Sequence, residues 1–327
     1  MLSLIGTFTL LSCVIVFAGV LLTRFADGVA ESTSMGHSLA GLLLLAAATS
    51  LPELAIGWAA VRIDAVNLTV GELLGSCLWN LLLLAFLDLA IRTHGRMLSP
   101  QSAAHALTAT VSVLLVAIAM AGFVIRYDNV FLRLSPFSWA ILISYLCCIR
   151  LIYQDHQTVI DGQPAKESSR NVSAARSIAG YLGCAVVIFL AAPRLAVVTN
   201  ALAEATGIAN TFLGASLVAM VTSLPEAVTT VTAIRLGFMN MAVANIFGSN
   251  AFNVVILGMV DLATPASIFA VASSAHLVTA VSVVIVTAVA LLGLLYRAEK
   301  RFWLIEPDAL LVILLVVGAL VLIYRAG

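Results

Sequence analysis

Two copies of one short motif carry the side chains of this sequence that are best suited to chemistry. Residues 49–53 read Thr-Ser-Leu-Pro-Glu, and residues 222–226 read the same. Each copy lies in an apolar run long enough to cross a membrane, where an ionisable side chain is costly and is a functional hypothesis by default. Glu53 and Glu226 therefore form a candidate site built from two parts of one chain.

A second polar element follows each copy at a fixed distance. Its recurring residues are Gly75, Ser76 and Asn80 in the first copy and Gly248, Ser249 and Asn253 in the second. One offset of 173 residues relates both elements, and alignment of 41–89 with 214–262 gives 18 identities in 49 positions. Packing between helices would explain small and polar residues in a single copy. Their repetition at a fixed distance from a buried Glu favours a functional role.

The spacing within each motif predicts a helix with one polar, ligand-bearing face. Positions i, i+3, i+4 and i+7 are Ala46, Thr49, Ser50 and Glu53 in one copy and Ala219, Thr222, Ser223 and Glu226 in the other. Proline inside a helix removes a backbone donor and clashes with the carbonyl four residues earlier. We therefore expect Pro52 and Pro225 to break their helices and to release the carbonyls of Ala48 and Val221. Carboxylate, hydroxyl and carbonyl oxygens are the ligands that Ca²⁺ and Na⁺ prefer.

The composition requires a membrane protein to carry these motifs. Of 327 residues, 62% are hydrophobic and 10% are charged, and the net charge is zero, so we expect the lipid bilayer as a partner and no nucleic acid. Apolar runs of roughly 20 residues are long enough to cross the hydrocarbon core. We predict an all-α protein with ten spans, near 2–22, 35–61, 66–91, 102–125, 133–153, 175–199, 208–234, 239–262, 273–296 and 305–324.

The offset of 173 residues also relates the first five spans to the last five. We therefore divide the chain into a five-helix repeat at 1–153, a cytoplasmic linker at 154–174 and a second repeat at 175–327. Because five is odd, the second repeat enters the membrane from the opposite side, an inverted arrangement common in secondary transporters. Most basic residues fall in loops on the linker side, which predicts both termini outside the cell under the positive-inside rule. Short loops suggest a plasma (inner) membrane location.

The two motif regions resemble the paired repeats of the cation/Ca²⁺ exchanger superfamily, and most closely its prokaryotic sodium/calcium exchanger branch. Members typically carry G-T-S-L-P-E followed by G-S-N-x-x-N or G-S-N-x-x-D. The resemblance covers the ten-span plan and both motifs, in order and twice. It implies secondary-active antiport by alternating access, in which the first and sixth spans move as a gating pair.

The resemblance also implies roles for the matching residues. Glu53 and Glu226 would bind Ca²⁺ and share in Na⁺ coordination, and Asn80 and Asn253 would border the central site. The remaining Na⁺ ligands would come from Thr49, Thr222, Ala46, Ala219, Ser50, Ser223, Ser76 and Ser249. Ca²⁺ and Na⁺ are transported ions here, and no cofactor is expected.

The sequence departs from the family pattern at several positions near the site. Cys77 replaces the Asn of the first G-S-N, and Asn253 is neutral where some relatives have Asp, which argues against K⁺ co-transport. Ala48 and Val221 stand where Gly usually precedes Thr. Glu72 is a third candidate carboxylate, although a position facing a vestibule or a helix interface would also explain it.

The leading hypothesis is therefore exchange of Ca²⁺ for Na⁺ across the membrane. Exchange of Ca²⁺, or of another divalent cation, for H⁺ is the alternative, since a buried carboxyl group can take up a proton. An intramembrane hydrolase would need a nucleophile paired with a base, and no Ser-His or Ser-Lys pairing is visible. We therefore expect no enzymatic activity and no obligate protein partner. A non-transporting receptor with an occluded ion site is the other alternative.

Overall fold

The computed structural model describes residues 1–32, 48–90, 106–161, 173–235, 239–295 and 307–326. Within these ranges the protein is all helical, apart from one isolated bridge between Phe131 and Leu134. The first half contains α1 (Leu2–Ser32), α2 (Leu51–Arg62), α3 (Val66–Ala90), α4 (Ala106–Ile125) and α5 (Pro136–Asp161). The second contains α6 (Ala174–Thr206), α7 (Asn210–Leu213), α8 (Ala219–Thr222), α9 (Leu224–Arg235), α10 (Met239–Val260), α11 (Ile268–Val271), α12 (His276–Leu295) and α13 (Pro307–Ala326).

Seven of the described helices are long and apolar enough to span a membrane. The count is eight if the bent pair 210–222 and 224–235 forms one span, and the apolar part of α5, Pro136–Arg150, is shorter. The first part of the predicted second span, 35–61, lies outside the described residues. The protein is therefore a multi-pass helical membrane protein, as the composition predicts.

Three helices extend beyond their predicted spans. α1 continues to Ser32 rather than ending near residue 22, and α6 continues to Thr206 rather than 199. Gly207 ends α6 with φ of 70°, a left-handed conformation that suits glycine, and its N–H donates to the carbonyl of Ala203 at 2.9 Å. α5 runs to Asp161, so it includes the first part of the predicted linker. Hydropathy located the apolar parts of these helices but missed their polar ends.

Both motif copies interrupt a helix at the predicted place. In the second copy α8 ends at Thr222, Ser223 has φ of −79° and ψ of 0°, and the chain bends by 44° before α9. In the first copy Ser50 has φ of −94° and ψ of 11° immediately before α2. The proline that follows falls in the first turn of the new helix, where its missing N–H needs no partner. The expectation that Pro52 and Pro225 break their helices is confirmed.

A π-helical segment, Gly214–Val218, lies between α7 and α8 and packs closely against α3. A Cβ at Gly75 would clash with the backbone of Ala215, so only glycine allows this approach. The indole of Trp79 donates to the carbonyl of Ala215 at 3.1 Å. At Gly248, by contrast, the described part of the chain places no atom within 4 Å of such a Cβ.

The buried apolar residues form two clusters. The larger joins α3, α4 and α5 with α10, α12 and α13. The smaller joins α1, α2 and α6, and it contains both small and large apolar side chains, such as Ala18, Ala192, Ile15 and Leu195. α1 and α6 thus pack against each other as a pair with its own core, beside a larger helical body.

Candidate functional site

The two helix breaks bring the paired motifs together in the protein interior. Glu53 lies in the first turn of α2 and Glu226 in the first turn of α9, and each carboxylate is at most 1% exposed. The third and eighth predicted spans correspond to α3 and α10, which supply the second polar element of each copy. All of the predicted site residues within the described ranges are buried, namely Thr49, Ser50, Glu53, Ser76, Asn80, Ala219, Thr222, Ser223, Glu226, Ser249 and Asn253.

The contacts within the site cross between the two halves of the chain. The hydroxyl of Ser50 donates to Oε1 of Glu226 at 3.5 Å, and the hydroxyls of Ser76 and Thr222 are 3.3 Å apart. Thr222 also lies beside Glu53. The carboxylates of Glu53 and Glu226 are close enough for their charges to repel each other. Neither motif copy therefore forms a complete site alone.

Several oxygens of this site have no hydrogen-bond partner among the described residues. They are both carboxylate oxygens of Glu53, Oε2 of Glu226, Oγ of Ser223 and Oδ1 of Asn80. Buried polar atoms are normally paired, because an unpaired one carries the cost of losing its water. Unpaired carboxylate, hydroxyl and amide oxygens that lie close together are suited to a hard cation. The donor set thus fits Ca²⁺ or Na⁺ as substrate.

The predicted backbone ligands include the carbonyls of Ala46 and Ala219, of which the described residues contain only that of Ala219. The Ala219 carbonyl accepts the N–H of Ser223 at 3.0 Å and the hydroxyl of Thr222 at 3.3 Å, so an ion would have to compete with both. Ala46, its predicted counterpart, lies outside the described residues. Within the described ranges no group of three or more His, Cys, Asp or Glu side chains has the arrangement of a metal centre. The candidate site instead combines two carboxylates with neutral oxygens.

Glu72 is a third buried carboxylate near the site. It is fully buried on α3, close enough to Glu53 for their charges to interact, and neither of its oxygens has a partner among the described residues. Its counterpart in the second half, Asn245, donates to the hydroxyls of Thr229 and Thr230 at 3.2 and 2.9 Å. Glu72 has no hydroxyl at the two matching positions, which are isoleucine and glycine. It therefore faces a helix interface rather than an open vestibule.

Asn250 is a residue of this region that the sequence reasoning missed. Its side-chain oxygen accepts the amide of Asn80 at 3.0 Å, and its own amide donates to the carbonyl of Cys77 at 3.3 Å. The available signal was its place as the Asn of the second G-S-N. Asn250 links α10 to α3 beside the proposed ligands.

A cleft of about 180 Å³ reaches the site between α3 and the broken helix. Asn80 and Ser223 supply its polar groups, and bulky apolar side chains, among them Trp79, Phe86 and Leu224, line the rest. Its lining residues come from the second half of α3 and from both sides of the break. The unpaired oxygens of Asn80 and Ser223 therefore belong to side chains that line this cleft.

Asp88 and Asp261 occupy matching positions of the two repeats, and both are buried. Asp88 is 2% exposed and Asp261 is fully buried. The carboxylate of Asp261 accepts the N–H of Ser135 and of Ile268, both at 2.7 Å, and the hydroxyl of Ser138 at 2.6 Å. Asp261 thus joins the end of α10 to the starts of α5 and α11. Its role is therefore structural.

Taken together, a multi-pass helical fold with two broken helices and paired buried carboxylates defines a membrane transporter of the cation-exchanger class. Comparison with known proteins gives the family. The sodium/calcium exchanger protein family matches residues 3–154 and 176–324, and the chain belongs to it. The inner membrane protein YrbG of Escherichia coli (strain K12) is 32% identical over 234 residues, which cover 70% of each chain.

Solved structures share the same fold. The H⁺/Ca²⁺ exchanger CAX superposes with a TM-score of 0.71 at 16% identity, over 97% of this chain and 82% of that one. The sodium-calcium exchanger NCX_Mj superposes with a TM-score of 0.58 at 22% identity, over 98% and 99% of the two chains. At these identities the similarity concerns the fold. Exchangers that use different counter-ions share it.

Proposed function

We propose that this protein exchanges Ca²⁺ for Na⁺ across the membrane by alternating access. The observation that carries the proposal is the meeting of Glu53 and Glu226, from the two halves of the chain, with carboxylate oxygens that lack partners among the described residues. Two carboxylates neutralise one Ca²⁺. Several Na⁺ ions would use the same carboxylates together with the hydroxyls and carbonyls of the site.

The charge of the site explains why ions would be exchanged rather than leak. With no ion bound, two charged carboxylates would have to pass through a state closed to water on both sides, which is expensive in a medium of low dielectric. With an ion bound, the charge is compensated and the site can change its access. After one kind of ion has been released, the empty site must therefore bind the other kind before it can change its access again. Exchange of three Na⁺ for one Ca²⁺ would carry net charge across the membrane.

The packing of α1 supports its proposed role in gating. Gly19 of α1 lies against the prolines of both helix breaks, since a Cβ there would be 2.8 Å from Pro225 and 3.5 Å from Pro52. α1 and α6 pack together and share an apolar core of their own. We infer that the pair slides across the two breaks and exposes the site to one side at a time. With the two five-helix repeats inverted, such movement would open equivalent paths on opposite sides.

The same proposal assigns the sides of the membrane. The distribution of basic residues puts Arg235, at the end of α9, on the cytoplasmic side. The linker would then lie in the cytoplasm, with both termini on the other side of the membrane. The location would be the inner membrane.

Exchange for H⁺ is a second candidate that one observation favours. Glu72 is a buried carboxylate near Glu53 without a hydrogen-bond partner in the described ranges, so a proton is a suitable counter-ion for it. This arrangement would let a third carboxyl group take part in the cycle. Glu72 has no acidic counterpart in the second half, where Asn245 occupies the matching position.

Reconstitution in proteoliposomes tests both candidates. The purified protein is inserted into liposomes, and the liposomes are loaded with ⁴⁵Ca²⁺. Efflux of the tracer is measured first with an imposed Na⁺ gradient at equal pH and then with an imposed pH gradient without Na⁺. Efflux driven only by Na⁺ supports the proposal, whereas efflux driven only by H⁺ and lost in Glu72→Gln supports the second candidate. Ca²⁺ binding with no flux under either gradient would contradict both and favour a receptor.

A further inference from the structure

Cys77 and Asn250 occupy matching positions of the two repeats and contact each other where α3 meets α10. The amide of Asn250 donates to the carbonyl of Cys77 at 3.3 Å, and the thiol of Cys77 lies 3.6 Å from the carbonyl of Asn250. Two residues at equivalent positions of the repeats are therefore in direct contact. Asn250 carries an amide and Cys77 a thiol. At equivalent positions the first repeat therefore contacts an amide, whereas the second repeat contacts a thiol.

In the first repeat this contact orients a proposed ligand. The side-chain nitrogen of Asn80 donates to Oδ1 of Asn250 at 3.0 Å, and Oδ1 of Asn80 has no partner among the described residues. An amide held by its nitrogen presents its oxygen in a fixed direction. Asn80 also lines the cleft that leads to the site. Its oxygen is therefore fixed before a cation arrives.

In the second repeat no corresponding bond between two amides forms among the described residues. Asn253 is the counterpart of Asn80, and Cys77 stands where its partner amide would be. A thiol is a weak donor and a weak acceptor, and that of Cys77 already points to the carbonyls of Leu73 and Asn250. Asn253 is 1% exposed and lies beside this thiol, which offers it only a weak interaction, and neither of its amide atoms has a hydrogen bond of good geometry within the described ranges.

We propose that Cys77 is a positioning residue that sets cation affinity, because it leaves the amide of Asn253 unfixed while Asn250 fixes that of Asn80. The inference rests on the proposed binding of a hard cation between the two repeats. Cys77 is close enough to Glu53 for an electrostatic interaction, so the unfixed amide belongs to the same region. An amide oxygen is a suitable ligand for such a cation. The site thus combines one asparagine that an amide orients with one that lies beside a thiol.

The proposal predicts that an amide at position 77 tightens binding. In Cys77→Asn the new side chain would repeat the bond between Asn250 and Asn80, holding the nitrogen of Asn253 and leaving its oxygen for the cation. Ordering one side chain in advance corresponds to roughly a two- to tenfold gain in affinity. Conversely, Asn250→Cys would release Asn80 and should weaken binding by a similar factor.

Ca²⁺ binding to the purified full-length protein by isothermal titration calorimetry measures this effect, together with the Ca²⁺ dependence of ⁴⁵Ca²⁺ uptake into proteoliposomes. Cys77→Asn should lower the dissociation constant and the half-saturating concentration, with little change in the maximal rate. Cys77→Ala removes the thiol without supplying an amide and should show no gain. The gain should also vanish when Cys77→Asn is combined with Asn253→Ala.

Two results would overturn the inference. One is a Cys77→Asn protein that binds Ca²⁺ as the wild type does, and the other is a gain that persists in the double variant. If Cys77→Asn does not fold, as judged by thermal unfolding, Asn250→Cys decides, since unchanged affinity there has the same meaning. Glu53→Gln in the same titration separates the two proposals. Binding that survives that change contradicts the proposed function, whereas its loss beside an unaffected Cys77→Asn contradicts only the role of Cys77.

Discussion

Replacing Glu53 by Gln should abolish Ca²⁺ transport and leave the fold intact. Gln keeps the shape of the side chain but removes one of the two charges that would neutralise a divalent ion. The carboxylate is fully buried. Removing one partner of a buried charge pair costs about 3–5 kcal/mol, which corresponds to a loss of roughly 10²- to 10³-fold or more in affinity. Uptake of ⁴⁵Ca²⁺ into proteoliposomes should fall to background at submillimolar Ca²⁺.

The same change should not destabilise the cation-free protein. Neither oxygen of Glu53 has a hydrogen-bond partner among the described residues, and Glu226 lies near enough for charge repulsion. Gln therefore relieves repulsion without breaking a bond. The midpoint of thermal unfolding in detergent should stay the same or rise without Ca²⁺. Added Ca²⁺ should raise the midpoint of the wild type by mass action but not that of the variant.

A matched control is Glu204→Gln, which neutralises an exposed carboxylate in the last turn of α6. Glu204 accepts a hydrogen bond from Asn200 at 3.0 Å and lies outside the site. This variant should keep both Ca²⁺ uptake and stabilisation by Ca²⁺. Near-normal uptake in Glu53→Gln and in Glu226→Gln would refute the assignment of the carboxylates. So would stabilisation by Ca²⁺ that persists in both.

Three further changes test other parts of the structure. Asp261→Asn should destabilise the protein by about 2–3 kcal/mol, because an amide cannot accept all of the bonds that this carboxylate receives; thermal unfolding should show the loss, with the half-saturating Ca²⁺ concentration unchanged. Gly19→Ala should slow uptake, because its methyl group would meet the rigid ring of Pro225 at 2.8 Å, and a normal maximal rate would argue against movement of α1 over the break. Glu72→Leu should raise the unfolding midpoint, because it removes a buried carboxyl group without a partner in the described ranges, while Na⁺-driven uptake persists.

The features predicted correctly from the sequence are those that local chemistry determines. A proline in an apolar run weakens a helix locally, and both breaks fall at the repeated motif, although Pro193 lies inside the continuous helix α6. Burial of Glu53 and Glu226 follows from their place in such runs. The repeat then indicates which residues share a site, since an equal offset predicts equivalent positions.

The features that the sequence did not predict depend on contacts between distant segments. Asp261 lies near a span end, and only the fold brings Ser135 and Ile268 to its carboxylate. The contact of Cys77 with Asn250 likewise needs two helices to cross at one point. The polar ends of α1 and α6 were missed because hydropathy measures apolar length and not helix length.

The lengths of α1 and α6 have a consequence for the surrounding lipid. At about 1.5 Å per residue, helices of 31 and 33 residues measure roughly 46 and 50 Å, whereas the hydrocarbon core is about 30 Å thick. Both helices expose large apolar side chains, such as Phe17, Leu182 and Leu190. They must tilt or project beyond the core, and the energy of either arrangement varies with membrane thickness. Since these helices are the proposed moving pair, acyl-chain length becomes a variable that sets the rate of exchange.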